Sequence, residues 1–305
     1  MITFDDFDAW GEAVSGASLQ LVCDAVETPR WTLGILDLGG VVLQMAVEGG
    51  GNLCYGANTH PGPLLFVPLS HPGGHFVNGA GLDDESLFVI PRGADFSIRV
   101  RRRAHAWCSV ALPDGVDVAA CGAVTSTKIA CAPGSLPALR MLVATIFTAL
   151  QGSAAGTVAH RLAGLELLST TRACLPVAGR ARPRPGRPQL DRRVIIRRSM
   201  ETLEAAPTLP TAAELARSVG VNGRTLLRAF QETFGIPPKQ YLLLRELHRI
   251  RRELVSGAPA DATVADVLVR NGIWEFGRFA GRYRSRFGES PSETLRRGRA
   301  GCEGA

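Results

Sequence analysis

Residues 211–234, TAAELARSVGVNGRTLLRAFQETF, predict two short helices joined by a tight turn. Thr211 and Glu214 have capping-box spacing, in which the hydroxyl accepts a free backbone N–H and the carboxylate reaches back to the cap. Gly220 is typical of a helix end, and Asn222 is a favourable cap for the next helix. The stretch therefore predicts a helix, a glycine turn and a second helix.

The second of these helices has a basic outer face. Its apolar positions Leu226, Ala229 and Phe230 share one side, which we expect to face a core. Arg224 and Arg228 lie four residues apart on the other side. This combination is the helix-turn-helix arrangement used to read DNA. A single copy is a weak signal, because any small helical bundle contains similar shapes.

The same pattern recurs about fifty residues later. Thr263 and Asp266 begin a helix, residues 271–272 (Asn-Gly) end it, and a further helix places aromatic residues four apart at Phe279, Tyr283 and Phe287. A long connecting helix is predicted by the apolar positions Leu243, Leu247, Ile250 and Leu254. Two tandem units are a much stronger indication of DNA binding than one.

The charge distribution separates this region from the rest of the chain. Residues 1–179 carry 10 Lys+Arg against 15 Asp+Glu, whereas residues 180–305 carry 24 against 13, so the two parts have net charges of −5 and +11. A basic half joined to an acidic half indicates that one end meets a polyanion. A basic surface without a partner is the alternative interpretation of the charge alone.

These residues resemble a known family. TAAELARSVGVNGRTLLRAFQETFGIPPKQYLLLREL, followed by TVADVLVRNGIWEFGRFAGRYRSRFGESPSETLRR, resembles the DNA-binding domain of AraC/XylS-type transcription regulators over about 110 residues. The pattern G-R-F-A-x-x-Y-R-x-x-F-G-E-S-P-S is its most specific part. The run RRELVSGAPADATVADVLVRNGIWEFGRFAGRYR is similar to the subgroup of the ethanolamine-utilisation operon regulator.

The resemblance implies two recognition helices, at about 223–233 and 276–286, that enter successive major grooves. The positions it assigns to DNA contact are Arg224, Thr225, Leu227, Arg228, Phe276, Gly277, Arg278, Ala280, Gly281 and Arg282. An arginine fork can donate twice to guanine, although a phosphate contact or a solvated side chain is the alternative for each arginine.

The second recognition helix departs from an ordinary base reader. Gly277, Ala280 and Gly281 have no side-chain donor or acceptor, but they allow close approach to the groove, with arginines beside them for phosphates. For Trp274 and Phe276 we expect packing against the bundle in preference to contact with a thymine methyl group.

Residues from about 32 to 112 predict an antiparallel β domain, a cupin-like sandwich or barrel. The strand-like segments are TLGILDL, VVLQMAV, PLLFVPL, SLFVIP, DFSIRV and AWCSVAL. Two amphipathic helices follow. The first has its apolar face at Leu139, Leu142, Val143, Ile146, Phe147 and Leu150, and the second at Val158, Leu162, Leu165 and Leu168. These helices either close the core of the β domain or pair with a second subunit.

The predicted fold is therefore α+β with two domains. Residues 1–175 form a regulatory domain for ligand binding, dimerisation or both, residues 176–189 (PVAGRARPRPGRPQ) an Arg/Pro-rich linker, and residues 190–305 the DNA-binding domain. Its helix-turn-helix units lie near 211–233 and 263–286. We expect a transcription regulator, an activator, that binds double-stranded DNA and contacts RNA polymerase, with a small-molecule effector and a homodimer as further partners.

A ligand pocket, if present, is expected inside the β domain. Its candidate walls are the aromatic residues Trp31, Phe66, Phe88, Phe96 and Trp107, for which simple core packing is the alternative. The competing functions are a cupin-like metalloenzyme and a ligand-free dimerisation or partner module. His60, His71, His75 and Glu85 lack the spacing of a metal site and fall in Gly/Pro-rich loop-like sequence. We therefore expect no enzyme activity, no metal and no cofactor.

The remaining composition indicates a cytoplasmic globular protein. Hydrophobic residues make up 46% of the chain and charged residues 20%, which is too apolar for a disordered chain. The seven cysteines contain no C-x-x-C pair and favour reduced thiols. No basic and apolar leader opens the sequence, and no segment has the ~18 to 20 continuous apolar residues that a membrane span needs.

Overall fold

The computed structural model of the chain describes residues 1–101, 103–116, 118, 125–175, 191–206, 208–257 and 261–303. The predicted linker, residues 176–189, lies outside the described residues. Within the described part, no helix is both long and apolar enough to cross a bilayer.

The N-terminal part is built on two antiparallel sheets. Its strands are β1 (Ile2–Phe4), β2 (Ala17–Val26), β3 (Trp31–Asp37), β4 (Val42–Glu48), β5 (Gly50–Asn58), β6 (Leu64–Pro68), β7 (His75–Val77), β8 (Ala80–Gly81), β9 (Ser86–Ile90), β10 (Asp95–Val100), β11 (His105–Ala111) and β12 (Thr127–Ala130). One sheet has the order β1-β3-β4-β11-β6-β9-β12, and the other β2-β5-β10-β7-β8. The predicted β sandwich is confirmed.

The larger sheet is buried on both faces, because successive side chains of a strand point to opposite sides. Phe66, Phe88 and Trp107 belong to the core that the smaller sheet shares. Their chain neighbours Leu65, Leu87 and Cys108 belong to a second core, together with the helices that follow the sheets. The strands of this sheet therefore read as nearly continuous apolar runs, and five of the six predicted segments lie in it. The sixth, DFSIRV, is β10 of the smaller sheet, so all six predicted segments are strands.

In the described part of the N-terminal region, three α-helices accompany the sheets: α1 (Phe7–Ala13), α2 (Ser135–Leu150) and α3 (Val158–Cys174). Helix α2 buries its predicted face against the larger sheet, through Leu136, Leu139, Val143, Ile146 and Phe147. Helix α3 buries Gly164, Leu167 and Cys174. The apolar stripe expected on α3 points elsewhere, with Val158, Leu162 and Leu165 between 60% and 64% exposed. Most of that stripe does not close the core.

Strand β5 was not predicted, because GGNLCYGAN resembles a loop. Its glycines are required by close backbone contacts with β2. A Cβ at Gly50 would lie 1.9 Å from the Ala25 carbonyl oxygen, and one at Gly56 would lie 2.4 Å from the Ser18 carbonyl oxygen. Glycine marks such approaches within strands, at the cost of β propensity.

The C-terminal part is helical throughout its described length. Its helices are α4 (Arg192–Ala205), α5 (Ala212–Val219), α6 (Gly223–Phe234), α7 (Pro238–Arg252), α8 (Val264–Arg270), α9 (Phe276–Phe287) and α10 (Pro291–Glu303), with a π-helical turn at Glu253–Gly257. The expected capping boxes are present at Thr211 with Glu214 and at Thr263 with Asp266. Asn222 caps α6 through Thr225 N–H, and Gly220 ends α5 in the left-handed region at φ 76°.

Strand β2 joins the two parts. Its inward positions Leu19 and Leu21 line a cavity between the sheets, and Cys23 is buried in the core. Its outward positions Gln20 and Asp24 hydrogen-bond to residues of α4, α7 and α9. The molecule is therefore layered in the order α2/α3, larger sheet, smaller sheet and helical domain.

Candidate nucleic-acid interface

Helix α6 presents its predicted contact positions to solvent. Arg224 and Arg228 are exposed and Leu227 is 37% exposed, whereas Thr225 is half-buried and bonded to the cap residue Asn222. The opposite face is held by Leu226, Ala229, Phe230 and Phe234, all of which are buried. The helix can therefore place the two arginines against an external acceptor without disturbing its own packing.

Arg228 is oriented by its neighbour one turn on. Its Nε donates to Glu232 Oε1 at 2.7 Å, and this hydrogen bond lowers the pKa of Glu232. The pair uses only Nε among the described contacts, so both Nη groups remain free for an acceptor such as guanine. The other oxygen of Glu232 accepts from Arg192 Nη1 at 3.1 Å, and Arg192 Nη2 donates to the Asn78 carbonyl oxygen at 2.8 Å. A chain of hydrogen bonds thus links the β domain to helix α6.

The outer face of helix α9 is made of residues with small side chains. Gly277 and Gly281 are exposed, and Ala280 is half-buried. A Cβ built at either glycine would meet no atom within 4 Å. Neither glycine is therefore required by the fold, although each weakens the helix relative to alanine. An external surface that approaches closely would explain both.

The groups beside this surface are basic and aromatic. Arg282 is exposed, and Arg278 pairs with Glu275 at 3.1 Å with its side chain 74% exposed. Trp274 is 72% exposed and Phe276 is 40% exposed. The expectation that these two aromatics pack against the bundle is wrong for Trp274, because the turn before α9 directs its ring away from the core.

The far end of α9 is anchored to the β domain by buried charges. Asp24 of β2 is fully buried and accepts from Arg286 Nη1 at 3.1 Å as well as from Arg101 Nε. Two guanidinium groups thus face one carboxylate. A buried carboxylate without partners would be strongly destabilising, so this contact requires the two domains to stay together.

A second buried contact joins α7 to the N-terminal residues. His248 Nε2 accepts from Cys23 N–H at 2.8 Å, and its Nδ1 lies 3.3 Å from Asp8. Because Nε2 accepts, Nδ1 must carry the proton. Arg251 lies 2.8 Å from Asp8 and 2.5 Å from Asp6. Burial alone would lower the pKa of Arg251, but the carboxylates raise it, so the guanidinium stays charged.

The β domain contains a cavity of about 70 Å³ between its sheets. Of the predicted aromatic walls, Phe66, Phe96 and Trp107 line this cavity. Trp31 and Phe88 are buried in the same core, but they are not among the residues that line it. The remaining walls are mainly aliphatic, and sequence reasoning did not identify the polar residues at one end.

Those polar residues form a buried network around Glu48. Its Oε1 accepts from Trp107 Nε1 at 2.6 Å and lies 3.2 Å from His105 Nε2, and its Oε2 accepts from Asn52 Nδ2. Glu48, Asn52 and His105 are each at most 4% exposed. Their signal in the sequence is weak, since Glu48 and His105 stand at the last and first positions of strands.

The pKa values of two neighbouring histidines, His105 and His75, are shifted in opposite directions. Burial would lower the pKa of His105, but the charge and hydrogen bond of Glu48 offset it and raise the pKa. Burial, followed by the positive charge of His105, lowers the pKa of His75 to about 3. The rings lie 5.1 Å apart. His75 is therefore neutral beside an imidazolium–carboxylate pair.

The four residues weighed as metal ligands are not brought together. His75 is buried in β7, which corrects the expectation that it lies in a loop, while His71 and Glu85 are exposed. Among the described residues, no group of three or more His, Cys, Asp or Glu side chains has the geometry to hold a metal ion.

Comparison with known proteins relates the helical part to DNA-binding regulators. Residues 215–297 match the family model described as a helix-turn-helix domain. A probable thc operon regulatory protein of Rhodococcus erythropolis is 40% identical over 103 residues, which cover 33% of this chain and 31% of that protein. The XylDLEGF operon transcriptional activator 1 of Pseudomonas putida is 36% identical over 112 residues, 37% of this chain and 32% of the relative.

The matched segment is about a third of the length of these two relatives. Among solved structures, a probable AraC family transcriptional regulator from Rhodopseudomonas palustris is 33% identical, with a TM-score of 0.31, and the match covers 34% of this chain and 96% of that one. The match to the family model covers the part of the chain that holds both helix-turn-helix units.

Proposed function

We propose, from the AraC/XylS-type helix-turn-helix domain that residues 215–297 carry, that this chain is a sequence-specific DNA-binding transcription regulator and an activator. The observation that carries the proposal is the pair of capped helix-turn-helix units, each with an exposed second helix whose opposite face is buried. A DNA-binding regulator has to share a compartment with DNA, so we place it in the cytoplasm. Membership of the ethanolamine-utilisation subgroup stays a prediction.

The two recognition helices contribute differently in this proposal. Helix α6 reads bases through Arg224 and Arg228, with Leu227 available for a thymine methyl group. Helix α9 brings Gly277 and Gly281 close to the groove, and Arg278 and Arg282 neutralise phosphates beside it. Base preference therefore depends mainly on α6, whereas α9 contributes affinity.

Binding-site selection on the full chain tests this division. Arg228→Ala should weaken binding to the preferred site by about 1–3 kcal/mol and relax base preference at one position. Arg282→Ala is the matched control, and it should weaken binding to all sequences alike and reduce the salt slope by about one phosphate contact. Full preference in Arg228→Ala with lost preference in Arg282→Ala would reverse the roles.

For the N-terminal domain we propose effector sensing and homodimerisation. Effector sensing is supported by the partly polar cavity between the sheets and by β2, which borders both this cavity and the helical domain. An effector shifts DNA affinity only if it binds two domain arrangements unequally. Contact with RNA polymerase belongs to the same proposal, because an activator acts through the polymerase.

Dimerisation is supported by the exposed apolar stripe of α3, formed by Val158, Leu162 and Leu165. Exposed apolar side chains in a contiguous row on a helix are typical of a protein interface. Since α3 lies on the far side of the molecule from the helical domain, a second copy bound there leaves α6 and α9 accessible. If the N-terminal domain binds no ligand, dimerisation through α3 would be its remaining role.

A further inference from the structure

The cavity between the sheets is small, and its polar lining residues are Glu48, Asn52 and His105 at one end, with Ser15, Gln44 and Ser109 hydrogen-bonded to one another elsewhere. Its volume of about 70 Å³ is about half of the roughly 150 Å³ that holds a benzene molecule in a protein core, which leaves space for about three or four non-hydrogen atoms. Leucine, isoleucine and aromatic side chains form most of the wall, including Leu19, Leu64, Ile90, Ile98, Phe66 and Phe96. An occupant must therefore be compact and mainly apolar.

The polar end contains one acceptor that lacks a donor. Asn52 lines the cavity, is 3% exposed, and donates through Nδ2 to Glu48 Oε2. A carboxylate only accepts hydrogen bonds, which fixes the orientation of the amide and leaves Oδ1 as the second atom. Asn52 Oδ1 has no hydrogen-bond partner in the structure. Because an unpaired buried acceptor is costly, a ligand that donates to it gains affinity.

The charge at this end disfavours ions of either sign. Glu48 is negative, and His105, which also hydrogen-bonds through Nδ1 to the Arg103 carbonyl oxygen, balances it. Lysine and arginine are absent from the residues that line the cavity. A carboxylate would face Glu48 without a countercharge, and an ammonium would face the imidazolium of His105. Both would also lose their hydration on entry.

We propose that this cavity binds an uncharged aliphatic alcohol of about three or four non-hydrogen atoms, whose hydroxyl donates to Asn52 Oδ1. The apolar wall receives the hydrocarbon chain. The inference rests on the proposed regulatory function in one respect, since the alcohol would be the effector that the N-terminal domain senses.

Four small molecules of equal heavy-atom number test the proposal on the full chain without DNA, by calorimetry and thermal shift. Propanol should bind with a Kd at least about tenfold lower than its isomer ethyl methyl ether, which accepts but cannot donate. Propylammonium and acetate should not bind where propanol saturates. Equal binding of the ether, tighter binding of either ion, or no binding of propanol would overturn the proposal.

A pair of variants locates the effect. Asn52→Leu alone would free Glu48 Oε2 as a new acceptor, so it is combined with Glu48→Gln, whose amide Nε2 takes that place. The double variant should reduce the propanol-over-ether preference to about onefold, because both molecules can then only accept. Asn58→Leu, another buried asparagine of β5, should lower the unfolding temperature but keep the preference. Persistence of the preference in the double variant contradicts the proposal; if that variant does not fold, the panel on the natural chain decides. These measurements contain no DNA, so a failure of alcohol binding leaves the DNA-binding proposal intact. A failure of DNA binding likewise leaves the alcohol proposal intact.

Discussion

Gly277 and Gly281 both make helix α9 less stable than alanine would at the same positions. Gly281 lies in the interior of α9 and Gly277 in its first turn, and a methyl group at either would enter open space. Glycine in a helix interior is less stable than alanine by about 0.5–1 kcal/mol. Two such glycines on one exposed face reduce the stability of the helix there. The proposed close approach to the DNA groove explains why they are present.

We therefore expect Gly277→Ala and Gly281→Ala to have opposite effects on stability and on DNA affinity. Gly281→Ala should raise the free energy of unfolding by about 0.5–1 kcal/mol, and Gly277→Ala should raise it by less, because it lies in the first turn. Both should weaken DNA binding several-fold, measured by fluorescence anisotropy, with stability measured by urea denaturation. Gly298→Ala of α10 is the control, because its Cβ would lie 2.5 Å from the Val255 carbonyl oxygen and should lower stability. Unchanged DNA affinity in both α9 variants would contradict the proposed approach.

Because His75 is buried, we expect the stability of the fold to fall in acid. For His75, the folded pKa of about 3 lies below the value near 6.5 expected in the unfolded chain, so the unfolded state binds the additional proton between these values. The corresponding stability is fully present above pH ~6.5 and is lost as the pH falls toward 3, by at most about 1.4 kcal/mol per pH unit.

His75→Phe should flatten this acid loss, since a phenyl ring cannot take the proton. The measurement is the urea-unfolding free energy of both proteins at intervals from pH 7 to about pH 4. Exposed carboxylates titrate alike in both proteins, so the difference between the curves isolates the histidine. Parallel curves would show that His75 is solvated or charged in the folded state.

At the scale of the element, α3 carries an apolar stripe that is exposed among the described residues. Leu162→Gln and Leu165→Gln together should shift the chain from dimer to monomer in sedimentation velocity, because both side chains leave a water-excluded interface. The exposed Glu166→Gln on the same helix should leave the assembly unchanged. A dimer that survives the double substitution would place the interface elsewhere.

The elements that could be predicted are those with a local signal. The helix-turn-helix helices have capping boxes and glycine ends, and the strands of the larger sheet have long β-branched and aromatic runs. Strand β5 lacked such a signal, because the glycines that its contacts with β2 require also occur in loops. The sequence did not predict whether the apolar face of α3 packs on the core or on a second subunit, because a helical stripe does not show what covers it.

At the scale of the whole molecule, buried charges join the two domains. Asp24→Asn should lower the free energy of unfolding by about 3–5 kcal/mol, because Arg101 and Arg286 then lose their carboxylate. Hydrogen exchange should also rise in α9 and β2. Glu201→Gln, which removes only the exposed Arg197 pair at 3.7 Å, should change stability by less than about 0.5 kcal/mol. Equal effects of the two substitutions would mean that the domains separate readily.

These long-range contacts were beyond sequence reasoning. The hydrogen bond from Cys23 to His248 joins residues separated by 225 positions, and no periodicity or cap marks either partner. The same holds for the cavity. Phe66, Phe96 and Trp107 were predicted from their apolar size, but Glu48 and Asn52 acquire their role only when β4, β5 and β11 come together.

Because β2 forms the wall of the cavity with one set of side chains and the seat of the helical domain with the alternate set, this chain should resist simple domain exchange. A chimera that joins a foreign β domain to residues 191–303 would present the wrong side chains to Arg245 and Arg286. Transplanting Gln20 and Asp24 with the helical domain should restore these two contacts. The alternate positions, Leu19 and Leu21, can then be varied separately to retune what the cavity accepts.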